Sequence, residues 1–233
     1  MRLLVTRPQP EAASFADALA AAGHEAVLAP LLTIEGAGEV PQALFQDVDA
    51  IALTSARALP FLVSPESLAV PLYAVGPASA EAARRAGFSQ VIQGGGDAAA
   101  LAETLRGNLP AGSLVLHPSG AQQARDLSTL LAGSNIEIRR RIVYRAVTVE
   151  RLPETAVLSL RSGALDAVTF FSPRTSKTFV RLTNETGLAA KTAALVAFCL
   201  SPAVAAGLTG STWREIQSAT RPDRAGMLEM IGS

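Results

Sequence analysis

Asp49-Ala50-Ile51-Ala52-Leu53-Thr54-Ser55-Ala56-Arg57 returns later in the chain as Asp166-Ala167-Val168-Thr169-Phe170-Phe171-Ser172-Pro173-Arg174. Each copy opens on an aspartate, crosses a short apolar run, and then reaches hydroxyl side chains and an arginine. An apolar run, a serine cap and then helical spacing read as a buried strand leading into a helix. In an open parallel sheet, ligands bind outside the carboxyl ends of the strands. Two such strand ends in one chain point to two similar units with similar polar rims.

The flanking sequence keeps the same alternation. Short strands are expected at 3–6, 25–29, 72–75, 90–92, 113–117, 194–199 and 213–218, and residues 136–147 read as extended and partly basic. Helices are expected at 11–22, from the first copy to about 62, at 78–86, 97–109, 154–162, 173–182, 201–208 and 223–231. Pro118-Ser119-Gly120 reads as a turn into a further helix ending near 132. Gly23 and Gly87 close helices, Asp97 and Asp223 cap them, and Pro77 sits in a first turn where its missing N–H is harmless. Residues 31–41 lose period around Gly36 and Gly38 and read as a connector. Strands alternating with helices across short Gly/Pro turns predict an α/β fold with parallel sheets.

The repeat extends beyond the opening stretch. The strand at Leu3 corresponds to Leu114 onward, Ala74-Val75-Gly76-Pro77 to Ala197-Phe198-Cys199-Leu200, and Asp97 to Asp223, with an offset growing from 111 to 126 residues. Four landmarks in one order indicate a duplication with loop insertions.

The 233 residues are 49% hydrophobic and 17% charged, which supports substantial cores and excludes a disordered chain. The net charge is zero, against the basic footprint of a nucleic-acid binder. Local arginines could still serve a small anion. Cys199 is the single cysteine, so no internal disulfide framework and no cysteine metal site is expected. The first residues lack the apolar run of a signal peptide. The most apolar segment, 193–208, is interrupted by Ser201-Pro202 and is shorter than the ~20 residues of a bilayer span. The expectation is a soluble, cytoplasmic protein with no membrane partner.

No G-x-G-x-x-G or Walker spacing is present, and no G-x-S-x-G elbow accompanies the two histidines. His24 follows a helix end and reads as surface. His117, at a strand's carboxyl end, fits either a binding or a core role. Cys199 reads as inert core. What remains is a set of polar strand-end turns: Arg7; Thr54, Ser55 and Arg57; Gly76 and Ser79; His117 and Ser119; Ser172 and Arg174; Ser201. Helix capping accounts for many of these hydroxyls without a ligand. Several helix N-termini at one cleft would instead make an anion site of backbone amides, with arginines adding paired donors.

Val5-Thr6-Arg7-Pro8, Thr54-Ser55-Ala56-Arg57-Ala58, Tyr73-Ala74-Val75-Gly76, Leu116-His117-Pro118-Ser119-Gly120, Val143-Tyr144-Arg145 and Thr169-Phe170-Phe171-Ser172-Pro173, taken in order, resemble the uroporphyrinogen-III synthase family over nearly the whole chain. The resemblance implies two α/β domains, each an open parallel sheet flanked by helices, joined by a two-stranded connector. Domain one would comprise 1–34 plus 148–233 and domain two 38–143, with connectors near 31–41 and 143–148. It also implies a cofactor-independent monomer that cyclises hydroxymethylbilane to uroporphyrinogen III, losing water and inverting the terminal ring. The preceding enzyme of the pathway is a possible transient partner. Tyr144 matches the family's cleft-facing tyrosine, as proton donor to the departing hydroxyl or as interdomain packing. Thr54, Ser55 and Arg57 would face Ser172 and Arg174 across a cleft. At Cys199-Leu200-Ser201-Pro202 the chain departs from the Gly-Pro-Thr of many relatives, although Ser201 keeps a hydroxyl that can cap and donate. The competing functions are a two-domain binding protein for a small polyanion, which the same turns would serve, and a nucleotide-dependent enzyme, which the missing phosphate-loop spacings disfavour.

Overall fold

The computed structural model describes residues 1–122 and 126–232. Strand β1 (Arg2–Val5) leads through Arg7 and Pro8 into α1 (Glu11–Ala21), and β2 (Glu25–Leu28) and β3 (Leu32–Gly36) follow. Then come β4 (Ala50–Leu53), α2 (Pro65–Leu68), β5 (Leu72–Ala74), α3 (Pro77–Arg85), β6 (Val91–Gln93) and α4 (Ala98–Asn108). Next are β7 (Leu114–Gly120), α5 (Leu127–Leu130), the long β8 (Glu137–Thr148), α6 (Glu154–Ser162), β9 (Ala167–Phe170) and α7 (Pro173–Glu185). The chain closes with β10 (Val196–Cys199), α8 (Pro202–Ala205), β11 (Glu215–Ser218) and α9 (Arg224–Gly232).

Two compact units result: Met1–Thr33 with Val147–Ser233, and Ile34–Ala146. The first holds a five-stranded sheet in the order β11-β10-β9-β1-β2, parallel throughout. The second sheet runs β3-β8-β7-β4-β5-β6, with β8 through β6 parallel. Strand β3 runs antiparallel to β8: Val149 N–H donates to Leu31 C=O (3.1 Å) and Ala37 N–H to Val143 C=O (3.0 Å). Both β3 and β8 cross the division between the units.

Alternation along the strands builds a core on each sheet face. In the first unit Leu4, Val168, Phe170 and Ala197 pack with Phe179 and Leu182 of α7 and Leu160 of α6, while Leu3, Val5, Ala167 and Phe198 meet Phe15 and Leu19 of α1 and Met227 of α9. In the second, Ile51, Leu53 and Leu72 pack with Ala80 and Ala83 of α3, and Ala50, Ala52, Tyr73 and Val115 with Leu101 and Leu105 of α4. Burial on both faces explains why Ala50–Leu53 and Ala167–Phe170 read as unbroken apolar runs. Thr6 and Thr169 are buried too; Thr6 Oγ1 donates to Thr169 C=O (2.7 Å) and Thr169 Oγ1 to Leu4 C=O (3.2 Å), tying β1 to β9.

Several elements differ from the sequence expectation. Pro118-Ser119-Gly120 is the end of β7 rather than a turn; β7 pairs with β8 through Gly120 but its β4 pairing is confined to Val115 and Leu116, so the missing Pro118 N–H is not needed on that side. Of the helix expected up to 132, Leu127–Leu130 is helical, and residues 123–125 lie outside the described residues. The segment after β4 is a 3-10 helix, Ala56–Phe61, because Pro60 cannot supply an α-helical N–H. The helix expected at 201–208 divides into α8 and a 3-10 turn, Ala206–Leu208. The aperiodic 31–41 stretch contains β3, which is half exposed and held by its pairing with β8.

Candidate active site

Register places the carboxyl ends of the parallel strands at one edge of each sheet. In the first unit, β1 and β2 run one way through the sheet order and β9 to β11 the other, so the switch point lies between β1 and β9. Ligands of open α/β sheets bind in the crevice at such a point, outside the carboxyl ends of the strands. Arg7 lies two residues beyond β1, Ser172 two beyond β9 and Ser201 two beyond β10. The Arg7 guanidinium carbon sits 4.1 Å from the centroid of the Phe171 ring, which itself meets Phe15 edge-on at 5.0 Å. That cation–π contact steadies a charge at the switch point. Ser172 caps α7 by accepting from Thr175 N–H at 3.2 Å, and half-buried Arg174 sits in the first turn. Ser201 precedes α8 in an ordinary extended conformation, without the side-chain cap its sequence position allowed.

In the second unit the switch point lies between β4 and β7. Thr54 follows β4, and its Oγ1 is 3.0 Å from His117 Nε2 on β7. Ser55 caps the 3-10 helix by accepting from Arg57 N–H at 3.3 Å. Gly76 precedes α3 against Gly96, whose Cα would lie 3.2 Å from any Cβ there. Ser79 lies in the first turn of α3. Ser119 is buried and accepts from Arg140 Nε at 2.9 Å, while Arg140 Nη2 donates to Gly120 C=O at 3.1 Å. Tyr144 lies on β8 with its ring against Gly120: a Cβ there would be 2.8 Å from Cε2 and Cζ. Phe61 stacks with the Tyr144 ring at 6.4 Å and 21°. Among the described residues, the hydroxyls of Ser79, Ser201 and Tyr144 make no intramolecular hydrogen bond, which leaves each a donor to offer a ligand.

Thus Arg7, Ser172, Arg174 and Ser201 gather at one strand-end rim, and Thr54, Ser55, Arg57, Gly76 and Ser79 at the other. His117 and Ser119 are buried in the carboxyl-terminal half of β7, the strand on the other side of that switch point. Burial, reinforced by the Arg140 charge and opposed by Asp126, pulls the His117 pKa down to about 4, so the ring is neutral at pH 7. Burial pushes the Cys199 thiol up to about 12 and makes it unreactive. Sequence reasoning passed over Phe61, Gly120 and Arg140. No local pattern marks them; Gly120 meets Tyr144 only because β7 and β8 are neighbours.

The registers also refine the repeat. Leu3 and Val115 pair with equivalent residues of β9 and β4, so Leu3 matches Val115 rather than Leu114. Leu200 N–H donates to Phe170 C=O and Val75 N–H to Leu53 C=O, both at 2.9 Å, so Gly76-Pro77 matches Ser201-Pro202, not Cys199-Leu200. Asp97 and Asp223 do the same work, each accepting the N–H three residues on, from Ala100 at 2.8 Å and Gly226 at 2.7 Å.

A sequence-family model described as uroporphyrinogen-III synthase HemD matches residues 13–229. The chain belongs to the uroporphyrinogen-III synthase family. That family is enzymatic, acts on a polypyrrole and serves tetrapyrrole (haem) biosynthesis. A solved uroporphyrinogen-III synthetase from Helicobacter pylori matches with a TM-score of 0.59 at 16% identity, covering 99% of this chain and 98% of that one, and so shares the fold. The uroporphyrinogen III synthase of Thermus thermophilus matches at 19% identity with a TM-score of 0.45, covering 100% of this chain and 96% of that one. No curated protein matches the chain. Among the described residues, no helix is long and apolar enough to cross a membrane.

Proposed function

We propose that this uroporphyrinogen-III synthase family member takes hydroxymethylbilane as its substrate, with Tyr144 as the proton donor. The family match over residues 13–229 carries the reaction. The residue roles rest on placement at the two switch points. Arg7, Ser172, Arg174 and Ser201 of one unit, with Thr54, Ser55, Arg57, Gly76 and Ser79 of the other, bind the substrate's carboxylates through side-chain donors and the amides of helix N-termini. His117 and Ser119 support them from within β7. The zero net charge fits a small polyanion better than nucleic acid. In this reading the protein is a cytoplasmic monomer that receives its unstable substrate from the preceding enzyme.

Tyr144 donates to the terminal hydroxyl, which departs as water while the adjacent pyrrole nitrogen supplies electrons to form an azafulvene. The far ring attacks through its substituted carbon to give a spiro intermediate. The spiro carbon's original bond to its methylene bridge then breaks, leaving an azafulvene on the neighbouring ring. The terminal ring's free α-carbon bonds to that methylene, so the ring closes inverted. The proton lost from that carbon returns to the Tyr144 phenolate, leaving water as the net loss. Unaided closure favours the uninverted isomer, so holding one folded conformation is the main catalytic task.

Freshly prepared hydroxymethylbilane tests this directly. Type III uroporphyrinogen above the unaided rate is expected. Type I alone, at the unaided rate, overturns the reading and revives the polyanion-binding alternative, which the family match does not favour.

A further inference from the structure

His117 is 1% exposed, yet its hydrogen bonding is incomplete: Nε2 is 3.0 Å from Thr54 Oγ1, while Nδ1 is buried with no partner among the described residues. The fold does not ask for a histidine there. Counting along the registers, the equivalent residue in the first unit's sheet is Val5, fully buried and apolar. A buried polar atom left unpaired carries an uncompensated desolvation cost. A packing role alone gives no return for that cost.

We infer that His117 is a positioning residue for the reaction: its Nε2–H donates to Thr54 Oγ1 and so turns the Thr54 hydroxyl hydrogen outward to bound substrate. Of the two neutral tautomers, the one protonated on Nδ1 would bury a donor with no acceptor; the one protonated on Nε2 leaves only an unpaired acceptor, the more tolerable defect. With one oxygen lone pair occupied by His117, the half-buried Thr54 hydroxyl presents its hydrogen at the switch point, ready for a substrate carboxylate. The other unit reaches a comparable end differently. There the equivalent of Thr54 is Phe171, whose ring steadies the Arg7 guanidinium. Each switch point thus carries one donor held by a neighbour.

The inference rests on Thr54 binding substrate as proposed above, and two measurements separate the ideas. The chain has only two histidines, so a long-range proton–nitrogen spectrum of 15N-histidine protein is simple, and His24→Gln assigns it. The Nε2–H tautomer is expected for His117; the Nδ1–H tautomer overturns the inference. This reading uses the unsubstituted site and does not depend on activity.

The second measurement is kinetic. His117→Leu should raise KM for hydroxymethylbilane by about 5- to 10-fold, the value of one hydrogen bond, with a smaller change in kcat. His117→Gln, which returns an N–H to that position, should recover most of the loss. In a Thr54→Val background, His117→Leu should add less than about 2-fold, because the two residues act as one unit. Equal losses in both backgrounds would make His117 structural and overturn the inference. If the unsubstituted protein yields only type I product, the proposed function fails instead, and the tautomer still decides the hydrogen bond.

Discussion

Asp49 and Leu114 clasp each other twice: the Asp49 carboxylate accepts from Leu114 N–H at 2.8 Å, and Asp49 N–H donates to Leu114 C=O at 2.9 Å. The first unit repeats the clasp between Asp166 and Arg2, at 2.6 and 2.9 Å. Both aspartates stand at the amino end of their strand, opposite the polar rim. The residue that opens each copy of the repeat therefore sets strand pairing and does not touch the site.

Asp49→Ala and Asp166→Ala should each lower stability by about 1–2 kcal/mol, the loss of a hydrogen bond to a charged but exposed group. Asparagine keeps an acceptor and should cost less. Urea midpoints measure both. Turnover per folded molecule should stay at the unsubstituted value; a selective loss of turnover would move these aspartates into the site.

Gly120→Ala should displace the Tyr144 ring, since the new methyl would stand 2.8 Å from two ring carbons. The expected result is a drop in kcat of at least about 10-fold. Tyr144→Phe removes the phenol and keeps the stack on Phe61, so kcat should fall on the order of 10²-fold with little change in melting temperature. Unchanged turnover would reduce Tyr144 to packing.

Acid should weaken the protein through His117. Its folded pKa of about 4 lies below the ordinary 6.5, so between those values the unfolded chain binds the extra proton. The contribution is complete above pH 6.5, is lost as pH falls toward 4, and does not change further below that. It amounts to something on the order of 3 kcal/mol. Urea unfolding from pH 7 to 4 should show a shallower decline in His117→Gln than in the unsubstituted protein.

Cys199 should resist thiol reagents in the native state, because it is fully buried and its thiol is shifted up to about 12. Alkylation followed by mass spectrometry, with and without denaturant, should show labelling that tracks unfolding. Rapid native labelling would mean that β10 opens locally.

The repeated stretch was enough to read the α/β class, because strands covered on both faces leave an uninterrupted apolar signature. The caps at Asp97, Ser172 and Asp223 were equally local and equally readable. β3 was not: Leu32–Gly36 is half exposed, so no apolar period marks it, and its pairing comes from a β8 of 12 residues far along the chain. The strand continuing through Pro118 was hidden by a residue that usually ends strands. The polar rims were legible because helix caps leave short Ser/Thr signals. Their supports were not. The seat of Tyr144 on Gly120, and the contact of His117 with Thr54, are set by which strands lie side by side.

The first unit draws β1 and β2 from the start of the chain and β9 to β11 from its final third; the Arg2–Asp166 hydrogen bond spans 164 residues. During translation, every strand of the second sheet is made before β9 exists. The second unit can thus mature before the first is complete. At ribosomal speeds of about 5–20 residues per second, Leu3, Leu4 and Val5 wait roughly ten to thirty seconds for a neighbour on the β9 side. For that interval the nascent chain carries an apolar strand with one edge uncovered, and its safe arrival depends on the order in which the polypeptide leaves the ribosome.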